Sequence, residues 1–225
     1  MKVREIKEEV RNIYNIGFSS VHITDTKEEA IEISRLLFNE NGLHFLNYAK
    51  VSEYESTLEN IKIFKNFAKN NNISLNDLVL DSGMLLSLYG VRKCNDIDYF
   101  IDDSQNIIDE VMDIECHDSE LKYHNELKMD LLYNPEYYFY FNDVKFVSFQ
   151  QVYKMKNNRQ ESKDINDCKL MEALIENNNL KKLAGKVKQN ILYVKVMIRK
   201  KLISFLKISG LYSYAKLIYD NKIRK

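Results

Sequence analysis

One stretch, residues 79–101 (VLDSGMLLSLYGVRKCNDIDYFI), constrains the fold more than any other part of the chain. It is entered through an apolar lead-in, Leu78, Val79 and Leu80, and breaks at Asp81-Ser82-Gly83. Residues 84–89 then carry apolar side chains at helical spacing, Gly90 turns the chain, and Asp96-Ile97-Asp98 runs into Tyr99-Phe100-Ile101. This order reads as a lead-in, a Ser-Gly turn, a helix of about two turns, a loop and a strand.

Side chains alternate between the two faces of a strand, which sets Asp96 and Asp98 on one side and Ile97 and Tyr99 on the other. Adjacent carboxylates repel, and a fold keeps such a pair by neutralising it with a cation or by protonating one member. Carboxylate oxygens suit Mg²⁺, which takes one or two of them and fills its shell with substrate phosphates and water. The pair therefore reads as a phosphate-handling metal site, although two solvated acids on an edge strand give the same bare pattern. Ser82-Gly83 at a helix start offers backbone N–H groups and the positive end of a helix dipole to a phosphate. Arg92 adds a cation between the turn and the acids.

The flanking segments read as support. Apolar spacing predicts a helix over residues 2–15, a strand over 18–23, and a helix over 27–39 opened by the capping-box spacing Thr26-x-x-Glu29. Residues 41–48, with His44, read as a loop, and 53–70 as a helix. Beyond Ile101, a helix is expected over 106–112 and a strand over 126–133. In that strand Asp130 shares a face with Lys128 and Leu132. Two aromatic and apolar runs, 137–141 and 144–147, flank the hairpin pair Asn142-Asp143. Ser148 caps a further helix, and a basic loop over 159–167 leads into a helix over 168–176.

Ser82-Gly83, then Leu85-Leu86-x-Leu88-Tyr89-Gly90-x-Arg92, then Asp96-Ile97-Asp98 resemble the signature of the DNA polymerase β-like nucleotidyltransferase superfamily. The later run Lys163-Asp164-x-x-Asp167 is similar to one that follows the catalytic strands of its stand-alone bacterial members. The likeness covers roughly residues 79–174 and implies an α+β fold: a small mixed β-sheet of the nucleotidyltransferase type flanked by helices, with helical N-terminal and C-terminal additions. It also implies one or two Mg²⁺ ions held by Asp96, Asp98 and a third carboxylate from a later strand, the position Asp130 resembles; Asp118 and Glu120 are the rivals for it. Phosphate contacts would come from Ser82, Gly83, Arg92 and Lys163, with Asp164 and Asp167 capping the helix and orienting the lysine. Many members carry two glycines at the turn; here the first is Ser82.

The function so implied is transfer of a nucleoside monophosphate from a triphosphate to a small-molecule or sugar acceptor; the Lys/Ile/Leu/Tyr-rich tail is similar to the ends of bacterial enzymes of surface-polysaccharide assembly, a likeness that leans the substrate toward a sugar. Leu80-Asp81-Ser82-Gly83-x-Leu85-Leu86 is also similar to the start of LicD-type phosphotransferases, which use a nucleotide-activated donor; their usual Asp-Asp-Asp-Ile-Asp is here Asn95-Asp96-Ile97-Asp98. A catalytically inactive nucleotide-binding or antitoxin-like module is the non-enzymatic alternative.

The division expected is an α-rich unit over 1–75, a catalytic domain over 76–180 and a basic tail over 181–225. Three well-separated cysteines, Cys94, Cys116 and Cys168, lack the spacing of a zinc site or a disulfide framework. The formal net charge is zero over the chain but uneven: residues 181–225 hold 13 cations and one acid, hence +12, which leaves −12 for residues 1–180. Residues 186–222 interleave these cations with apolar positions, so an anionic membrane surface is the partner expected for the tail, and packing on the acidic body is the alternative. Nucleic acid is not an expected partner. The charged N-terminus supplies no signal-peptide core and no run is long enough to span a bilayer, so the expected place is the cytoplasm, or the inner face of its membrane.

Overall fold

The computed structural model describes residues 2–19, 24, 26–107 and 111–213. The first elements are α1 (Lys2–Tyr14), α2 (Lys27–Leu37), α3 (Glu40–Tyr48) and α4 (Ser56–Asn70). The capping box forms: the Thr26 hydroxyl accepts from the Glu29 backbone N–H at 3.1 Å. Residues 17–19 make a 3₁₀ turn, and the rest of the strand expected over 18–23 lies outside the described residues.

Residues 41–48 are helical rather than a loop. Asn39 caps α3 by accepting from the Gly42 N–H at 3.0 Å, while the Asn41 amide donates to the Glu136 carbonyl at 3.0 Å. These two asparagines supply the long-range bonds that a run of loop-forming residue types conceals. His44 packs inside this arrangement, its Nδ1 2.9 Å from the Tyr89 hydroxyl, with burial holding its pKa below the ordinary value.

The central elements are β1 (Leu78–Leu80), α5 (Ser82–Leu88), β2 (Ile97–Ile101), β3 (Ile114–Cys116), α6 (Lys128–Tyr133), β4 (Tyr138–Phe141) and β5 (Val144–Val147). They are followed by α7 (Phe149–Arg159), α8 (Ser162–Ile175) and α9 (Asn179–Ile208). The five strands form one mixed sheet in the order β3-β2-β1-β5-β4. β1 runs antiparallel to β2 and parallel to β5, and β2 runs parallel to β3. The fold is thus α+β around an open mixed sheet. Asn142 and Asp143 turn the β4–β5 hairpin with φ of 51° and 62°, the left-handed pair that a two-residue turn requires.

Two further expected elements differ. Of the helix over 106–112, residues 106, 107 and 111 have irregular backbone and 108–110 lie outside the described residues. The strand expected over 126–133 is helix α6. Its alternation at Leu127, Met129 and Leu131 is misleading, because Leu127 and Met129 are exposed while the consecutive Leu131 and Leu132 are buried, a pair that a helix turn can send to one side.

One core joins α3 and α4 to the sheet. Phe64 and Phe67 of α4 pack on Tyr99, and Phe45 of α3 stacks on Phe139 of β4, whose ring stacks on Phe146. Aromatic residues buried to this degree each contribute about 1.5–3 kcal/mol through removal from water. The core residues of β1, Leu78, Val79 and Leu80, are wholly buried, so both faces of the central strand are covered and its end, where Asp81 sits, is fixed.

Candidate active site

Strand register alone sets the polar residues together. Val79 lies opposite Phe100, and Asp98 lies opposite Glu115, so these four residues share one face of the sheet. Two steps on from Val79 and Glu115, the same face receives Asp81 and His117. The Asp81 N–H donates to the Asp98 carbonyl at 2.9 Å, and the His117 N–H donates to the Tyr99 carbonyl at 2.8 Å, extending both ladders by one rung.

Asp96 is exposed and precedes β2 by one residue; Asp98 is half-buried within it. Burial, together with the negative charges of Asp96 and Asp81, pushes the Asp98 carboxyl up to about 6, against the opposing pull of His117 and Lys156. The expected repulsion within the acid pair is therefore present in the fold.

The Ser-Gly turn meets these acids. Ser82 has φ of 45°, the left-handed region that a side chain disfavours, and Gly83 follows it. A Cβ at Gly83 would stand 3.1 Å from Cys94 Sγ and 3.7 Å from Asp96 Oδ1. A methyl group there would require the Cys94 sulfur to shift by a few tenths of an ångström, while the Asp96 carboxylate stands at ordinary contact distance.

Asp81, next to the turn, is wholly buried and anchors two histidines. Its Oδ2 lies 2.8 Å from His117 Nδ1 and 3.2 Å from His124 Nε2. Burial works against the charge on Asp81, yet His124 and His117 outweigh it and hold the carboxyl far below its usual range. An ionised carboxylate only accepts, so both ring nitrogens donate to it. The Gln151 side-chain amide lies 3.4 Å from His124 Nδ1 and donates to the His124 carbonyl at 2.8 Å. Asp81 Oδ1 is buried with no hydrogen-bond partner.

Behind the acids runs an alternating chain of charges. Arg159 donates to Glu120 at 3.0 Å and grips both oxygens of Asp164 at 2.8 Å. Lys156 lies 3.1 Å from Asp164 and 3.0 Å from Asp167, and all three side chains are wholly buried. Arg92 closes the chain through its Nε, which donates to Asp167 at 3.0 Å. Burial opposes the Arg92 charge, but the Asp167 carboxylate more than offsets it and raises the pKa.

This chain corrects the expected role of the Lys163-Asp164-x-x-Asp167 run. The run lies inside α8, not in a loop, and Asp164 and Asp167 turn inward to Lys156, Arg159 and Arg92. Lys163 stays on the surface, 3.4 Å from Glu161, with more than half of its side chain exposed. Arg92 likewise stands as a strut between residues 91–95 and α8, with Nη1 bonded to the Lys93 carbonyl at 3.1 Å.

Asp130 is also placed differently. It lies on α6 and lines a surface hollow with Lys122, Asn125 and Glu126, and the strand beside β2 is instead β3, with Glu115 in register with Asp98. Lys128 pairs not with Asp130 but with Asp103 and Asp118. Among the described residues, no three His, Cys, Asp or Glu side chains gather as a set able to hold a metal ion. The structure brings together Ser82, Gly83, Asp96 and Asp98, and leaves Asp130 and Lys163 apart from them.

Asp81, His117, His124, Lys156 and Arg159 escaped the sequence reading. A signal existed for Asp81, an acid directly after a wholly apolar run, where burial is forced. The histidines lie 36 and 43 residues further on and carry no local mark. No protein-family model matches the chain, and no curated protein or solved structure matches it either.

Proposed function

We propose that the chain is a Mg²⁺-dependent nucleotidyltransferase of the DNA polymerase β-like type, moving a nucleoside monophosphate from a triphosphate to a small-molecule or sugar acceptor. The observation that carries this reading is the close approach of the Gly83 turn to Asp96, beside an Asp98 whose carboxyl is pushed up to about 6. A glycine turn at a helix start and a carboxylate pair beside it are the two halves that a metal–triphosphate site requires.

The residues fit Mg²⁺ as a two-carboxylate site. Asp98 titrates high through burial and, after it, the negative charges of Asp96 and Asp81, and Asp81 Oδ1 is a buried oxygen without a hydrogen-bond partner. Asp96 and Asp98 would hold the ion, and no third carboxylate is required of an ion that completes its shell with phosphate and water. When bound, Mg²⁺ supplies charge neutralisation at the phosphate oxygens.

The chain's own residues do the rest. Ser82 and Gly83 would meet a phosphate through the backbone of the turn. Arg92, Asp167, Lys156 and Asp164 brace the loop before β2 against α7 and α8, which fixes Asp96 and Asp98 relative to the turn. Asp81 holds the His117 ring by Nδ1 and leaves Nε2 to exchange a proton with the acceptor hydroxyl.

The test is pyrophosphate release from each of the four ribonucleoside triphosphates with Mg²⁺ and a panel of sugar phosphates and sugars. Release with at least one donor and acceptor is expected. Turnover only with a nucleotide-activated donor, yielding a nucleoside monophosphate, or no turnover with any donor would overturn the proposal.

A further inference from the structure

α9 is a 30-residue helix with nine lysines and arginines and no acid. Its first half is fixed to the body. Asn166 of α8 donates to the Gly185 carbonyl at 3.2 Å and to Gln189 at 2.7 Å, and Lys186 pairs with Glu53 at 2.6 Å. Gly185 and Gln189 are buried, and the approach is close: a Cβ at Gly185 would stand 2.5 Å from Leu170 Cδ2. These contacts define the side of α9 that faces the body.

The opposite side is apolar. At 3.6 residues per turn, Val187, Ile191, Val194, Ile198, Leu202 and Phe205 fall within an arc of about 80°, centred roughly 160° away from Gly185 and Gln189. Each is between 48% and 64% exposed. The stripe runs about 27 Å along the helix. Lys188, Lys195 and Arg199 line one edge of it and Lys201 the other, all exposed. An apolar stripe pointing away from the core, edged by cations, has no use within this chain's described body.

We infer that this face of α9 docks on an anionic lipid bilayer, lying in the plane of the interface. Charge selects the occupant. A second copy of α9 would set nine more cations against the same seam with no acid to pair them, so self-association is opposed. A nucleic acid would use the cations but leave six large apolar side chains against water or phosphate. A bilayer surface accepts both, the stripe entering the acyl boundary and the edge cations meeting anionic head groups. No described helix is long and apolar enough to cross a membrane, which fits a helix that lies on the surface rather than one that spans it. This inference is independent of the proposed chemistry.

The experiment is flotation of the full chain with phosphatidylcholine vesicles and with vesicles containing phosphatidylglycerol, at low and high salt. Binding is expected to the anionic vesicles alone and to fall with salt. Two full-length variants separate the contributions: Ile191→Gln/Ile198→Gln/Phe205→Gln for the stripe and Lys188→Gln/Lys195→Gln/Arg199→Gln for its edge. All six side chains are exposed, so the fold is retained, which circular dichroism checks. Each cation removed is expected to weaken partition roughly fivefold, and the stripe variant is expected to lose binding altogether. Absence of binding by the parent, or undiminished binding by both variants, would overturn the inference. So would retention of RNA, or a dimer abolished by the stripe variant, in a parent that leaves anionic vesicles unbound.

Discussion

His117 Nδ1 lies 2.8 Å from Asp81 Oδ2, joining the end of β3 to the end of β1 across β2. The bond shifts both partners. Asp81, ordinarily near 3.8, is lowered, so its share of stability is present above 3.8 and is lost as pH falls toward its folded value. His117, ordinarily near 6.5, is raised against the effect of burial, so its share is complete below 6.5 and is lost as pH rises through its folded value. The pair is therefore strongest between 3.8 and 6.5. Melting temperatures of the parent should fall from pH 6.5 to pH 8.5, after Asp98 has largely titrated, and His117→Asn should flatten that limb. A variant that declines as steeply as the parent would remove His117 from the account.

The turn stores strain that can be measured. Ser82 holds φ of 45° where glycine would sit freely. Ser82→Gly should stabilise the chain by about 1 kcal/mol in urea denaturation, since a non-glycine residue in this region costs about 1–3 kcal/mol and the glycine's extra unfolded-state freedom returns part of it. A destabilised variant would mean that the serine hydroxyl, not the backbone, decides the residue at this position.

Asp164 and Lys163 are neighbours in sequence with opposite expected behaviour. Asp164→Ala strands the buried Lys156 and Arg159 and should cost about 3–5 kcal/mol. Lys163→Ala removes an exposed side chain and should stay within about 0.5 kcal/mol. Chemical denaturation of the two variants checks the order, and equal losses would contradict the inward placement of the two aspartates.

Local chemistry made much of the fold legible. The Thr26 and Ser148 caps, the Asn142-Asp143 hairpin and the sequence from β1 through α5 to β2 are each specified by residues a few positions apart, and each forms as read. Failures came where long-range bonds decide. α3 depends on Asn39 and Asn41 reaching residues 135–138, and α6 shows strand-like alternation that only the burial of Leu131 and Leu132 resolves. The same limit applies to the site. Asp96, Asp98 and the Ser-Gly turn stand within one short segment, whereas His117, His124, Lys156 and Arg159 reach it through register and helix packing that no spacing encodes.

The most direct measurement is calorimetric titration of Mg²⁺ into the parent, Asp96→Asn and Asp98→Asn at pH 7 and pH 5. With Asp98 titrating at about 6, the ion must displace its proton at pH 5, so the parent's affinity should be about tenfold lower there than at pH 7. Each variant should bind roughly ten- to a hundredfold more weakly than the parent at pH 7, and Asp98→Asn should show little further change at pH 5. A parent that takes up no Mg²⁺, or variants that bind it as the parent does, would contradict the assignment of Asp96 and Asp98 as the metal-holding pair.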